Sequence, residues 1–372
     1  MARTYAEYVN YMFWKAEQSK VPLSGTFELT SRCNLDCKMC YIHKRSNDRR
    51  TLQEERSAQE WIDMARAAKN AGMLFLLLTG GEPLLRQDFK EIYTKCHELG
   101  LLISINTNGT LITREIAAFF KENPPLRINM TVYGAGPETY EKLCGDRGAY
   151  TRVHQAIELL QEAQIPLKLN YSVTPQNIQD VDSIYEYAKL RNLPIQTATY
   201  MFPPVRAREN CECEIERLTP KQAAQARWIY DQYRMPKEML ENHVKELLEG
   251  KELQDSLEEY TKQPSEEMRC RAGATAFWIT YHGQMRPCGM MTEPRVSVSS
   301  DSFKDSWRKI TEMRKQILLP AKCTACKWKR VCEYCPAVCY GENGAYEQAP
   351  EYMCKKMDNY VHIIESWNES CG

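Results

Sequence analysis

The sequence predicts an α/β protein built on a parallel sheet. Strand-like and helix-like segments alternate six times between Thr26 and Met201. The strand-like runs are short and mostly apolar, as in Met73 to Leu78, which suits strands with helical crossovers between them. The unusual residues fall where those strands end, as functional residues do in parallel α/β folds. An open doubly wound sheet and a barrel both satisfy this pattern.

The elements follow in order. The first eighteen residues, MARTYAEYVNYMFWKAEQ, mix charges with aromatics and do not form a signal peptide. They read as a short amphipathic helix with Tyr5, Tyr8, Val9, Met12 and Phe13 on one side. Thr26 to Thr30 is a first strand, running into Cys33-Asn34-Leu35-Asp36-Cys37-Lys38-Met39-Cys40. Thr51-x-x-Glu54 offers a capping box for a helix carrying Ala58, Trp61, Ile62, Ala65 and Ala68, which Gly72 stops. Met73 to Leu78 is the second strand and ends in Thr79-Gly80-Gly81-Glu82-Pro83. A helix over Phe89 to Leu99 leads to a strand over Leu101 to Asn106, which ends in Thr107-Asn108-Gly109. The alternation continues with a helix from Thr113 to Lys121 and a strand from Arg127 to Tyr133. A helix from Thr151 to Ala163 and a strand from Pro166 to Val173 follow. The series closes with a helix from Ile178 to Leu190 and a strand from Ile195 to Met201.

From Arg206 to Arg269 the composition shifts toward Glu, Lys and Gln, and Thr219-Pro220 marks a helix start. Two or three surface helices are expected to bridge two domains there. From Cys270 the chain is cysteine-rich and loop-like, and Lys355 to Trp367 reads as a closing helix. The expected boundaries are therefore 1–23, 24–205, 206–269, 270–354 and 355–372.

Bulk properties narrow the function. Lys+Arg and Asp+Glu both number 49, and this balance removes the usual electrostatic reason to expect nucleic acid as the main partner. No apolar run of about 18 residues exists to cross a membrane. A cytoplasmic protein is expected, with neither membrane nor nucleic acid as partner. Sixteen cysteines without an export signal point to reduced thiols or metal ligands rather than disulfides. Three lie between Cys33 and Cys40, and eight between Cys270 and Cys354; Cys96, Cys144, Cys211, Cys213 and Cys371 are scattered.

The spacing C-x3-C-x2-C can reach three corners of one metal site. A cubane iron–sulfur cluster normally takes four cysteines, so three suggest a cluster with one iron left free. A zinc loop and three unmetallated thiols are the alternatives, although structural zinc sites usually have four ligands. Gly80 and Gly81 permit close backbone approach, and the carboxylate of Glu82 beside them can bind an ammonium group.

The cysteine loop and Gly80-Gly81-Glu82-Pro83 together resemble the radical S-adenosylmethionine (SAM) superfamily in type, order and context. Met39 departs from the family, where an aromatic residue often precedes the third cysteine. The resemblance implies a partial (β/α)6 TIM-like barrel. It implies that Cys33, Cys37 and Cys40 hold a [4Fe-4S] cluster whose free iron is chelated by SAM. Gly80, Gly81 and Glu82 take the amine, and Thr131 lies at a polar position that often helps hold SAM. Asn170, Thr174 and Arg152 are further candidates, with ordinary strand-end or helix-surface roles as the alternative.

The second cysteine group is similar to the SPASM extension, a cysteine-rich C-terminal domain. Cys270-x12-Gly283-x4-Cys288 is followed by Cys323-x2-Cys326-x5-Cys332-x2-Cys335-x3-Cys339, and then by Cys354. By that resemblance two auxiliary [4Fe-4S] clusters are implied. Cys323, Cys326, Cys332 and Cys354 hold one; Cys270, Cys288 and Cys335 hold the other, with Cys339, another group or nothing as fourth ligand. A zinc-ribbon-like domain is the alternative reading.

The resemblance further implies reductive cleavage of SAM to a 5′-deoxyadenosyl radical that abstracts hydrogen from the substrate. The electron comes from a flavodoxin or ferredoxin. Met130 to Tyr140 looks like ribosomal-peptide maturases of this group, so the expected substrate is a ribosomally made precursor peptide. The product is a thioether, a C–C or C–O crosslink, or an epimerised residue. Cys144 is a candidate hydrogen-atom donor for epimerisation, with burial in the core as the bland alternative. The residues before 24 are too few for a fused leader-recognition domain, so a separate recognition protein or the bridge helices would serve. A sulfatase-maturase-like enzyme making formylglycine, a small-molecule radical SAM enzyme and a non-catalytic iron–sulfur or zinc carrier are the other readings.

Overall fold

A computed structural model describes residues 5–42, 44–203, 216–255, 268, 270–329 and 331–371. His43, Cys211 and Cys213 lie outside the described residues. The strands are β1 Ser24–Glu28, β2 Arg32–Cys33, β3 Lys44–Arg45, β4 Phe75–Thr79, β5 Leu102–Thr107, β6 Arg127–Val132, β7 Leu167–Ser172, β8 Ile195–Ala198, β9 Ala276–Ile279, β10 Gln284–Arg286 and β11 Val296–Ser297. The main sheet has the order β11-β10-β9-β1-β4-β5-β6-β7-β8. Every neighbouring pair from β9 to β8 is parallel; β10 and β11 are antiparallel additions. The six expected strands are present and form the continuous run β1-β4-β5-β6-β7-β8, the partial barrel of the α/β class.

Helices α1 Tyr5–Gln18, α2 Arg49–Glu54, α3 Ala58–Asn70, α4 Phe89–Glu98, α5 Arg114–Glu122, α6 Pro137–Cys144, α7 Ala149–Glu162 and α8 Val181–Leu190 accompany these strands. One face of the sheet is covered: Phe27 of β1 lies 4.9 Å from Trp61 of α3, ring to ring. Ile105, Ile128, Met130 and Leu169 on that side are fully buried. Because side chains alternate along a strand, Ser104, Asn106, Thr131 and Asn170 point to the other face, where they are only half-buried. That face is polar, and the Asn129 amide donates to Asn106 at 2.8 Å. Leu77 of β4 shares it and is half-buried. The apolar run Met73 to Leu78 is thus not sealed on both sides.

Three local expectations need correction. The capping box belongs to Ser57 and Glu60, whose side chain and backbone bonds are reciprocal at the start of α3. Thr51 lies inside the short α2, which Asp48 caps. Helix α6 was not expected, although Pro137 at its start and Gly145 at its end (φ +73°) are the usual punctuation. In α1, Val9, Met12 and Phe13 face inward but Tyr8 is 55% exposed. Phe13 stacks on Phe75, and Arg271 lies over the Phe13 ring.

Helices α9 Pro220–Arg234, α10 Lys237–Asp255, α11 Phe303–Arg314, α12 Ala321–Thr324, α13 Pro336–Asn343 and α14 Glu351–Cys371 complete the chain. Thr219 does cap α9, in a box with Gln222. But α9 is not a surface bridge: Ala223, Ala224, Ala226 and Trp228 are buried. Trp228 joins Tyr360, Val361 and Ile364 of α14 and Leu240 and Val244 of α10 in a second core. The segment from Cys270 is not set apart as loops either. It supplies β9, β10 and β11 to the main sheet, and β9 lies directly beside β1. Among the described residues no helix is long and apolar enough to cross a membrane.

Candidate active site

The cysteine loop grows out of the carboxyl end of β1. Its two feet are pinned by a small parallel ladder, Arg32 to Lys44 and Cys33 to Arg45. Its middle rests on the end of α6, where the N–H of Asp36 donates to the Cys144 carbonyl and that of Lys38 to the Leu143 carbonyl, each at 2.9 Å. Those carbonyls are among the last of a helix and lack intrahelical partners. The helix absent from the sequence reading is therefore the seat of the loop.

Cys33 and Cys40 are half-buried and Cys37 is buried. Burial, then the nearby Glu82 carboxylate, pushes the Cys33 thiol up to about 12, and the charge of Cys40 adds to this. A hydrogen bond to Cys144 and burial hold Cys37 up, with Cys40 and Cys33 contributing. The three thiols thus feel one another, as ligands around one centre must. Among the described residues no three potential ligands stand in a ready-made metal geometry. The Cys37 thiol is hydrogen-bonded to that of Cys144. Thiol-only donors on a short, anchored loop fit an iron–sulfur cluster.

Beside the loop lies the Gly80-Gly81-Glu82 turn. A Cβ on Gly80 would stand 2.3 Å from the Thr30 carbonyl oxygen, and one on Gly81 2.3 Å from that of Arg32. The N–H groups of Gly81 and Glu82 donate to those carbonyls at 2.8 and 2.9 Å. The glycines are required by the chain itself, because the turn lies flat against the root of the cysteine loop. Glu82 is fully buried. Its carboxylate accepts the N–H of Leu84 at 3.0 Å, the N–H of Asn108 at 2.7 Å and the hydroxyl of Thr107 at 2.9 Å. Burial raises it to about 7 against the pull of these donors. The Thr107 hydroxyl lies 2.9 Å from both carboxylate oxygens and shares its one hydrogen between them, so three donors do not saturate the four lone-pair sites, and a buried charge favours a cation there.

The other candidates sort by partner. Thr131 and Asn170 face each other in register across β6 and β7 on the open polar face. Thr174 is fully buried and folded into a turn, its N–H and hydroxyl on the Asn177 side chain. Arg152 is held by Asp146 on the outside. Cys144 is fully buried beneath the loop, its thiol on the Tyr140 carbonyl at 3.0 Å. Cys96 is core. Sequence reasoning misses Arg32, Glu55 and Arg86, which help knit the two loops together, and marks Thr107 and Asn108 only as a strand end.

The C-terminal cysteines form two neighbourhoods. The Cys323 thiol is raised by burial and then by the charges of Cys354, Cys332 and Cys326, so these four share one pocket. Cys335, at the start of α13, feels Cys270. It packs with Cys288 in a small core around Met268, Met291 and Ala337. Cys339 sits one turn along α13, fully buried, between the two groups, and burial raises its thiol most. Because β9 runs parallel to β1 and β10 runs back, Cys270 before β9 and Cys288 after β10 lie toward the amino end of β1. The Cys33 loop leaves its carboxyl end. Gly283 makes the hairpin turn between, at φ +83°, with Arg56 where a Cβ would be.

Residues 27–188 match the family model of the radical SAM superfamily. The chain is 27% identical over 347 residues to an AdoMet-dependent heme synthase of Methanosarcina barkeri, spanning 90% of this chain and 97% of that protein. It is 32% identical over 184 residues to a PqqA peptide cyclase of Rhizobium meliloti, about half of each chain (49% and 48%). Its fold is similar to a solved structure of native anSMEcpe with bound AdoMet and Kp18Cys peptide. That match has a TM-score of 0.68 at 20% identity and covers 92% of this chain and 96% of that one.

Proposed function

From a chain that belongs to the radical SAM superfamily, we propose a peptide-modifying enzyme with two auxiliary iron–sulfur clusters. The superfamily implies a [4Fe-4S] cluster and SAM, and its members are enzymes, so the reading as a non-catalytic carrier falls away. When bound, this pair supplies a 5′-deoxyadenosyl radical able to take hydrogen from an unreactive C–H bond. Cys33, Cys37 and Cys40 hold the cluster. Glu82 would take an N–H of the SAM amine, and Thr131 and Asn170 would line the approach.

The observation that carries this reading is the placement of cysteines at both ends of the same strands. Cys33, Cys37 and Cys40 gather at the carboxyl end of β1, with Cys270 and Cys288 toward its amino end. Cys335 is placed with the latter pair, and Cys339 stands behind it. Between them lies the polar face of Ser104, Asn106, Asn129, Thr131 and Asn170, whose amides and hydroxyls suit a substrate rich in hydrogen-bonding groups. Cys323, Cys326, Cys332 and Cys354, the last in the first turn of α14, would hold the second auxiliary cluster. A ribosomally made peptide fits this layout, and a thioether, a C–C or C–O crosslink or an epimerised residue is the product class.

A second reading has its own support. Alignment with a heme synthase runs along nearly the whole of both chains, which favours a tetrapyrrole with carboxylate side chains as substrate. The two separate in one experiment. The anaerobically reconstituted protein is given SAM and dithionite, with either the short peptides encoded beside its gene or iron-coproporphyrin. Mass spectrometry then reads the products. Loss of a hydrogen pair, or deuterium uptake at one peptide α-carbon, supports the peptide reading. Loss of carbon dioxide from the tetrapyrrole supports the second.

A further inference from the structure

Behind the cysteine loop lies a buried ionic knot that neither the cluster nor SAM explains. Its centre is Glu55, which follows α2 and whose side chain is only 6% exposed. Arg32 grips both carboxylate oxygens, with Nε at 2.7 Å and the other nitrogen at 3.0 Å. The Thr30 hydroxyl donates to the same carboxylate, and Arg86 stands 3.6 Å away. Arg86 in turn donates to the backbone carbonyls of Leu29 and Arg56, each at 2.9 Å, and pairs with Asp88.

Thr30 and Arg32 are not incidental partners. Their backbone carbonyls are the two that accept the N–H groups of Gly81 and Glu82, and Arg32 immediately precedes Cys33. One carboxylate therefore fixes the side chains of both residues whose main chain joins the cysteine loop to the glycine turn. A buried ion pair is often no more stabilising than apolar residues of the same volume, whereas a bidentate arginine–carboxylate contact adds geometric specificity.

We propose that Glu55 is a positioning residue for SAM cleavage: it sets the register between the Cys33–Cys40 loop and the Gly80–Glu82 turn. This rests on the reading that the first loop holds the cluster and the second the SAM amine. Glu55 touches neither. Its effect is on how SAM meets an assembled cluster, so it separates from cluster loading.

The test uses full-length, reconstituted Glu55→Gln and Thr30→Val proteins. Iron and sulfide content reports loading. The electron paramagnetic resonance spectrum of the dithionite-reduced protein, titrated with SAM, reports how SAM meets the cluster. Uncoupled 5′-deoxyadenosine release gives the rate. The expected result for Glu55→Gln is wild-type iron content and a SAM titration midpoint raised by about tenfold to a hundredfold, the scale of a small misplacement. Thr30→Val, which removes one donor from the same carboxylate, should shift it in the same direction by less. A wild-type titration in Glu55→Gln overturns the proposal. So does loss of iron in Glu55→Gln together with a wild-type titration in Thr30→Val, because the knot then serves folding alone. If the wild-type spectrum itself ignores SAM, the functional reading fails, and the proposal with it.

Discussion

The side-chain amide of Asn108 donates to the thiol of Cys33 at 3.6 Å. The backbone N–H of the same residue donates to Glu82 at 2.7 Å. Asn108 thus contacts both the first thiol of the cysteine loop and the buried carboxylate of the glycine turn. Its amide also reaches Asn34, and its carbonyl oxygen accepts from Thr110. A hydrogen bond to a cluster sulfur stabilises the reduced, more negative state. Asn108→Leu removes that bond and leaves the backbone contact to Glu82 in place. The expected outcome is a more negative midpoint potential for the loop's cluster with iron content retained, read by redox titration with paramagnetic resonance detection.

Gly81→Ala tests the close approach of the two loops. The added Cβ would meet the Arg32 carbonyl oxygen at 2.3 Å and its carbon at 2.6 Å, both backbone atoms that cannot rotate aside. The glycine turn must therefore move off the cysteine loop. A stability loss of about 1–3 kcal/mol is expected from overpacking, and uncoupled 5′-deoxyadenosine release should fall by about a hundredfold from misplacement. Thermal melting and chromatography of the nucleoside give the two numbers. Full activity in this variant would show that the contact does not set the site.

The sheet was legible because each strand is a short apolar run closed by a turn signal, as Leu102–Thr107 is by Asn108-Gly109. The two loops were legible because their residue types are unusual at strand ends. What stayed hidden was long-range. Ala276–Ile279 reads as an isolated apolar stretch, and nothing local says that it will pair with Ser24–Glu28 some 250 positions earlier. The ladder is made by backbone groups that every residue carries, and a side-chain bond across it joins residues far apart in sequence, the Trp278 ring N–H donating to Glu28 at 2.8 Å. Glu55 was hidden for a similar reason. A glutamate after a charged helix looks like a solvated end until Arg32 and Arg86 are brought to it. Arg152 shows the converse: a plausible ligand in sequence, it is held by Asp146 once folded.

Lys356 offers a test of the second cysteine pocket. Its side chain is 1% exposed, and its ammonium donates to the Thr199 hydroxyl at 2.8 Å and pairs with Glu333 at 2.5 Å. Glu333 is next to Cys332, and the charge of Cys332 acts on Lys356, so a buried cation stands beside one of the four thiols. Removing it raises the net negative charge near a cluster, which lowers the potential. Lys356→Met should make the potential of this auxiliary cluster more negative. Glu333→Gln leaves the ammonium buried with only a hydroxyl partner and should cost stability, about 2–3 kcal/mol. Lys356→Met leaves a half-exposed carboxylate that water can solvate, and should cost about 1 kcal/mol or less. Denaturant melts of both variants check the order; equal losses would mean that the pair is not the source.

Glu82 makes the site sensitive to pH. Burial raises its carboxyl from an ordinary 4.5 to about 7 in the SAM-free protein. The raised value means that the fold disfavours the ionised form. Stability without SAM should therefore be greatest at low pH with respect to this group, and should fall by about 3 kcal/mol as the pH climbs from the unfolded to the folded value. SAM responds with the opposite sign. On the proposed reading its amine gives an N–H to the ionised carboxylate, so below about 7 binding would have to expel the Glu82 proton and would be weaker, whereas above it the carboxylate is already present. An amine that also chelates iron gives up its own ammonium proton, so part of the slope belongs to SAM. The half-saturating SAM concentration should fall as pH rises through about 7, and Glu82 adds up to about tenfold per unit on the acid side. Glu82→Gln should remove that added slope while iron content is retained. Spectroscopic SAM titrations across this range measure it, and a slope unchanged in Glu82→Gln would assign the proton to another group.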